Sequence, residues 1–81
     1  MSQINDEQKF KELATDIRDK LVNVKNLNDI HIIYSDLHTM NILTSLKLKN
    51  IHGGKFFEDY YFNLYGVVNK RLNKMINEMF I

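Results

Sequence analysis

Histidine binds metal ions and also titrates near neutral pH, and the chain has three histidines. His31 and His38 are seven residues apart, so on a straight helix they share a face but lie about 10 Å apart along the axis. That separation is too large for one shared metal ion, and no cysteine supplies a thiolate ligand. We therefore expect surface or hydrogen-bonded histidines, with no metal and no cofactor.

The segment Tyr34–Leu43 (YSDLHTMNIL) combines an acid, a histidine and an amide. It resembles the catalytic loop of aminoglycoside-phosphotransferase-like kinases, where Asp36 would be the base and Asn41 a magnesium ligand. Too few residues precede it for a nucleotide-binding lobe, and the chain has no Gly-rich phosphate loop. Phosphoryl transfer depends on those parts, so we interpret the match as chance and expect no enzymatic activity.

Composition limits the remaining choices. The 81 residues (1–81) suffice for a single domain with a small core, which usually needs a further source of stability such as oligomerisation or a bound partner. A hydrophobic content of 44% with no proline and three glycines favours long helices. A net charge of +1 gives no global attraction to nucleic acid or anionic lipid. The polar N-terminus and the lack of a long apolar run predict a cytoplasmic protein without a signal peptide or membrane span.

The first helix is predicted from an apolar face with three- and four-residue spacing. Asn5 or Asp6 could cap its start, with Gln8 completing a capping box. We expect it to end near Lys25, after which Asn26 and its polar neighbours offer a cap for a second helix. The apolar face consists of Phe10, Leu13, Ala14, Ile17, Leu21 and Val24.

The middle of the chain permits two interpretations. The β-branched run Ile30–Tyr34 could form a strand, but no second strand is evident to pair with it, which favours a helix. Apolar residues fall on both sides of this helix, so it is either buried on two sides or breaks near residues 39–41. A turn follows at Lys47–Gly54, where Gly53 or Gly54 can adopt the left-handed conformation.

The last helix is predicted from about Lys55 to Phe80. Its main apolar stripe steps by three and four residues through Phe57, Tyr61, Leu64, Val68, Leu72, Met75 and Met79. A second stripe comprises Phe56, Tyr60, Tyr65, Ile76 and Phe80. The sequence therefore predicts an all-α fold, a small bundle of about three helices with a long C-terminal helix.

Aromatic residues crowd the N-terminal half of this last helix, and they cannot all point inward. An exposed remainder rich in Tyr and Phe is typical of interfaces, so we predict that this half binds a partner. Close approach of another helix at Gly66 would offset its cost of about 1 kcal/mol. We expect the C-terminal half to hold the domain or a dimer together. The predicted partner-binding residues are Phe56, Phe57, Tyr60, Tyr61, Phe62 and Tyr65.

Basic residues offer an alternative interpretation. Lys70, Arg71 and Lys74 are clustered late in the last helix, and together with Lys47, Lys49 and Lys55 they could form a phosphate-binding surface. Lys and Arg near a helix C-terminus are also explained by the helix dipole. The last helix is too apolar for a groove-reading helix, so nucleic-acid binding is the second choice.

The Pro- and Cys-free, Asn-, Ile- and Lys-rich chain resembles accessory proteins of AT-rich bacteriophages. Its size, helical character and segment 55–81 are similar to the cytoplasmic lysis-inhibition antiholins of T-even phages. The resemblance implies that the partner is the cytoplasmic part of a holin and that binding delays host-cell lysis. It implies no particular functional residue.

We therefore predict a small regulatory protein that binds another protein through its aromatic-rich helix and also self-associates. It would act in the cytoplasm, which is the host cytoplasm if a phage encodes it. The alternative is a small helical nucleic-acid-binding regulator. Salt separates the two hypotheses, because nucleic-acid binding weakens steeply as salt rises, whereas an apolar interface does not.

Overall fold

The computed structural model describes the backbone of residues 2–79 and the side chains of residues 6–79. Three α-helices follow one another: α1 (Ser2–Val22), α2 (Leu27–Leu43) and α3 (Gly54–Met79). A π-helical turn, Thr44–Leu48, extends α2. Every regular element in the described range is helical, which confirms the predicted all-α bundle with a long C-terminal helix. Phe80, where that helix was expected to end, lies outside the described residues.

The ends of α1 differ from the prediction. The helix already begins at Ser2, so the predicted cap at Asn5 or Asp6 is wrong. The residues before Asn5 include neither glycine nor proline, so no strong helix breaker prevents the helix from starting earlier. It ends three residues before Lys25, at Val22. The expected new cap is confirmed, because the Asn26 side chain accepts a hydrogen bond from the Asp29 backbone N–H at 3.0 Å.

Residues 30–34 are helical, which confirms the preferred interpretation over a strand. The expected break near residues 39–41 is wrong, since α2 runs on to Leu43 and the π-helical turn. Two-sided burial is also wrong, because Ile32, Ile42 and Leu46 on the outer side are 42–72% exposed. The buried side consists of Ile30, Ile33, Leu37, Met40 and Leu43. The helix therefore contributes one face to the core and leaves an apolar outer face.

The corner between α2 and α3 depends on backbone geometry. The π-helical turn contacts both α1 and α3, and its residue Leu48 is fully buried. Gly53 has φ +77°, which confirms the expected left-handed residue. A Cβ on Gly54 would lie 2.1 Å from the carbonyl oxygen of Leu48, so only glycine fits there. These features reverse the chain direction and start α3.

The core runs along a narrow bundle with extents of 50 × 17 × 16 Å. The apolar face predicted for the first helix is confirmed: Phe10, Ala14, Ile17 and Val24 are buried, and Leu13 and Leu21 pack against them. Among the described residues, we find no helix with the length and hydropathy that crossing a bilayer requires.

The two halves of α3 are buried to different extents. Phe57, Tyr61, Leu64 and Val68 are all buried, whereas Met79 is 63% exposed. Between them, the apolar residues Leu72, Met75 and Ile76 are only partly buried. Val68 in the C-terminal half is fully buried, but the apolar residues beyond it are covered only in part, so this half holds the domain together less than expected. The alternative, that it holds a dimer together, stays a prediction. The C-terminal half of α3 lies beside the short α1–α2 turn instead of a full helix. Few neighbouring residues are therefore available to cover it.

Candidate protein-binding surface

The six aromatic residues in the N-terminal half of α3 occupy three positions around the helix. Phe57 and Tyr61 point into the bundle and are each 8% exposed. Phe57 packs edge-on against Phe10 of α1, with ring centroids 5.0 Å apart. In the free chain these two aromatics are core residues, and the other four lie on either side of them.

On the side toward α1 lie Phe56 and Tyr60, whose ring centroids are 6.2 Å apart. Tyr60 is partly buried because it packs edge-on against Phe10 at 5.8 Å. Phe56 is 64% exposed. This flank therefore has one aromatic anchored in the bundle and one presented to solvent.

On the side toward α2 lie Phe62 and Tyr65, which are 63% and 38% exposed. Tyr65 packs edge-on against Tyr34 of α2 at 5.8 Å. The Tyr34 hydroxyl donates a hydrogen bond to Asn69 Oδ1, which joins α2 to α3. Because Phe56 and Phe62 lie on opposite flanks, the six aromatics do not form one continuous surface.

Burial has an electrostatic consequence for two of the tyrosines. Loss of hydration raises the pKa of Tyr34, and the nearby Tyr65 phenol raises it further. The same two causes, in the same order, raise the pKa of Tyr61. The Tyr34 phenol therefore acts as a packing and hydrogen-bonding group, and the Tyr61 phenol as a packing group.

An apolar groove runs between α1 and α3 on the Phe56 side, and we call it the α1–α3 groove. It has a volume of about 420 Å³. Arg18 is the charged side chain among its lining residues, and Asn63 is a second polar one. The lining residues are Arg18, Leu21, Val22, Tyr60, Asn63, Leu64 and Val67. Apolar grooves between helices are common ligand and peptide sites.

Two residues of this groove were missed by sequence reasoning. Val22 is 82% exposed and Val67 is 53% exposed, the first at the end of α1 and the second midway along α3. The spacing of Phe56, Tyr60, Asn63 and Val67 by four, three and four residues was the available signal for one helix face. What the spacing could not show is that α1 ends beside this face and leaves it uncovered.

The kinase-like segment has a different setting from the loop that it resembles. Residues 34–43 lie entirely within α2. The Asp36 carboxylate forms an ion pair with Lys20 of α1 at 2.5 Å, while Asn41 is exposed. In this setting Asp36 contributes to the α1–α2 contact.

The histidines and acids do not form a metal site within the described part of the chain. His31, His38 and His52 are all exposed. No group of three or more His, Asp or Glu side chains in residues 6–79 lies close enough together to hold a metal ion.

The basic residues do not form the single phosphate-binding surface considered above. Lys47, Lys49 and Lys55 surround the α2–α3 corner, and Lys55 pairs with Asp59 at 3.8 Å. Arg71 lies at the other end of the bundle, about 24 Å farther along α3 by the helical rise. There it donates a hydrogen bond from Nη2 to the carbonyl oxygen of Val24 at 3.4 Å. The two basic groups are therefore separate features.

No protein-family model, no curated protein and no solved structure matches this chain.

Proposed function

We propose that this chain is a small regulatory protein that acts by binding another protein, and that its partner inserts an amphipathic helix into the α1–α3 groove. The observation that carries the proposal is the exposure of Val22 and Val67, which line this groove. The exposed Phe56 lies next to the groove, with its ring 6.2 Å from that of the lining residue Tyr60. Single exposed apolar residues are ordinary on protein surfaces, but an apolar set gathered around a groove is characteristic of interaction sites.

The shape of the groove supports a helical occupant. The groove lies between two helices, so a third helix packed along it would complete an additional layer of the bundle by ordinary helix packing. The lining is apolar with Arg18 at its edge, which favours a partner helix with an apolar face and an acidic flank. Tyr60 and Leu64 would form a floor that the core already holds in place.

The phage resemblance gives this proposal a specific form. The partner would be the cytoplasmic part of a holin, and binding would delay lysis of the host cell. Self-association, which the small core also favours, would use the same groove in competition with the partner. Expression of the chain in infected cells should then delay lysis, and a variant with an altered groove should not.

The direct test uses variants at exposed positions, where folding should survive. We expect the double variant Phe56→Gln, Val67→Gln to weaken binding of a partner purified from native cells by about tenfold or more, since it removes two apolar contacts. Leu46→Gln is the matched control, because Leu46 is equally apolar and 72% exposed but lies outside the groove. Circular dichroism should show unchanged helicity in both proteins.

Three results would overturn the proposal. One is equal binding by the double variant and the control. Another is loss of binding in Phe62→Gln alone, which would place the site on the flank toward α2. The third is sedimentation showing that the chain forms a stable dimer through this groove while no other protein binds. Steep loss of binding with salt would instead favour the nucleic-acid alternative.

A further inference from the structure

A second groove lies at the far end of the bundle, between the α1–α2 turn and the C-terminal half of α3. We call it the basic end groove. Its volume is about 600 Å³, larger than that of the α1–α3 groove. It lies beyond the buried part of α3 and shares no lining residue with the α1–α3 groove. A ligand could therefore occupy it independently of the function proposed above.

Positive charge dominates the lining of this groove. Lys25 comes from the α1–α2 turn, and Arg71 and Lys74 come from α3. Glu78 is the acidic side chain among the lining residues. Asp29, the nearest acid on α2, already accepts a hydrogen bond from the Lys25 backbone N–H at 2.9 Å and serves the helix start. The lining of the groove thus contains three cationic side chains and one carboxylate.

Arg71 of α3 is hydrogen-bonded to the α1–α2 turn. Its Nη2 donates to the Val24 carbonyl oxygen, which fixes the guanidinium against the turn. Its Nε is buried and finds no hydrogen-bond partner among the described residues. A guanidinium has five N–H donors in a planar fork that suits a carboxylate. The buried Nε is not accessible to a ligand in the groove, so an anion there would be bound by the remaining guanidinium N–H groups, which find no other partner among the described residues.

The first turn of α2 also borders the groove. Leu27 begins the helix and lines the groove. The first backbone N–H groups of a helix have no partner within it, and together they form the positive end of the helix dipole. The Asn26 side chain caps one of these N–H groups and the Asp29 carboxylate lies in the same turn, so the helix start adds little to the charge of the three basic side chains.

The remaining wall of the groove is apolar. Leu27 is 41% exposed and Met79 is 63% exposed, and Met75 is partly buried against the core. Methionine side chains are flexible and adapt to different apolar partners. A ligand that fills the groove would therefore need apolar groups next to its negative charges.

We propose that the basic end groove binds an acidic amphipathic segment of a partner protein. Carboxylates of that segment would face Lys25, Arg71 and Lys74, and an apolar side chain would pack between Leu27 and the two methionines. The three cationic side chains favour binding of carboxylates. The apolar side chains of Leu27, Met75 and Met79 favour a ligand that also has apolar groups over a fully polar anion. Nucleic acid is disfavoured because the apolar wall and Glu78 would face its phosphates, and because the chain carries a net charge of only +1.

The test measures binding of a short fluorescent peptide of Glu, Asp, Leu and Phe by anisotropy. We expect the double variant Lys25→Glu, Lys74→Glu to weaken binding about tenfold or more, because attractive contacts become repulsive. Lys11→Glu, Lys49→Glu is the matched control; it has the same net charge, but neither of its altered side chains lines the groove. Arg71 is left intact because it contacts the Val24 backbone and its loss could disturb the fold.

A second pair of measurements separates the possible occupants. Leu27→Gln, Met79→Gln should weaken binding of the peptide, and a probe peptide with Ser in place of Leu and Phe should bind poorly. Equal binding by the charge-reversed variant and its control would overturn the proposal, as would equal binding of the two probe peptides. Tighter binding of a DNA duplex than of the acidic peptide, or dimerisation that the charge reversal abolishes, would also overturn it by assigning a different occupant.

The variants Phe56→Gln and Val67→Gln should bind the peptide normally. Failure of the proposal for the α1–α3 groove and failure of the proposal for the basic end groove are therefore distinguishable.

Discussion

The two halves of α3 have similar apolar spacing but different surroundings. Up to Val68, just past the middle of α3, the apolar stripe of Phe57, Tyr61, Leu64 and Val68 is covered by α2, the π-helical turn and Phe10 of α1. In the C-terminal half, the continuation of the same stripe is partly or largely exposed and borders the basic end groove. The spacing of apolar residues thus identifies the face of a helix that can be buried. The lengths of the neighbouring helices decide how much of that face is buried.

The aromatic residues illustrate the same difference at a smaller scale. Their crowding in the N-terminal half was predicted to mark an exposed binding surface, yet Phe57 and Tyr61 are part of the core. Phe56 and Phe62 are left on opposite flanks. The half that is richest in exposed aromatics is thus also the half that stabilises the fold.

The largest expected difference between the two halves is in the cost of truncating a side chain. Phe57→Ala should lower the free energy of unfolding by about 3–5 kcal/mol, because it removes a buried ring that packs on Phe10 and leaves a cavity. Met79→Ala should change it by about 0.5 kcal/mol or less, as is usual for exposed sites. Urea unfolding followed by circular dichroism measures both. Similar losses in the two variants would contradict the comparison.

The next effect concerns the residue at which the well-covered half begins. Gly54→Ala should destabilise the fold by about 1–3 kcal/mol, because the new methyl group would overlap the Leu48 carbonyl oxygen and force the corner to shift. The thermal unfolding midpoint measures this effect. A variant as stable as the original protein would show that the corner can relax without cost.

Gly66→Ala is the matched substitution between the two halves, and its expected sign is opposite. Gly66 is exposed, and a Cβ there meets no atom of the described residues within 4 Å. The expected helix contact at Gly66 is therefore not made within the described chain. The variant should gain about 1 kcal/mol from helix propensity. Stabilisation combined with weaker partner binding would reveal that a partner helix approaches there.

The smallest effect is expected at alkaline pH. Because burial raises the pKa of Tyr34 and Tyr61 in the folded state, the folded chain holds these protons more tightly than the unfolded chain. Their contribution to stability is therefore complete below the ordinary tyrosine value of 10.0 and is lost as pH rises through the raised values. The melting temperature followed against pH should fall in this range. Tyr34→Phe should reduce the slope of that fall, and an unchanged slope would argue against a role for this phenol.

Sequence reasoning predicted the fold well where local chemistry decides it. The apolar face of α1, the Asn26 cap and the left-handed Gly53 follow from side-chain spacing and backbone sterics, which the sequence contains directly. The start of α1 and the continuation of α2 past residue 41 were wrong. Helix ends are set by small differences in propensity and by tertiary contacts, and sequence patterns determine those poorly.

Prediction of the candidate site was less complete. The aromatics were identified from their crowding, but their division between core and two flanks depends on where α1 and α2 pack. Val22 and Val67 were missed because their exposure results from the end of α1, which tertiary structure sets. Lys25 lies near Arg71 and Lys74 only in the folded structure, because Lys25 and Arg71 are 46 positions apart in the sequence.

The glycine corner between α2 and α3 also bears on how many chains form one folded unit. Gly53 in its left-handed conformation is what turns α3 back along its own α1 and α2. If residue 53 adopted a right-handed conformation instead, α2 and α3 could merge into one long rod, and α3 could then pack only against the bundle of a second chain. Two copies exchanging this helix would retain the same core contacts. The turn at residues 49–53, with its left-handed glycine, therefore keeps the contacts of α3 within its own chain.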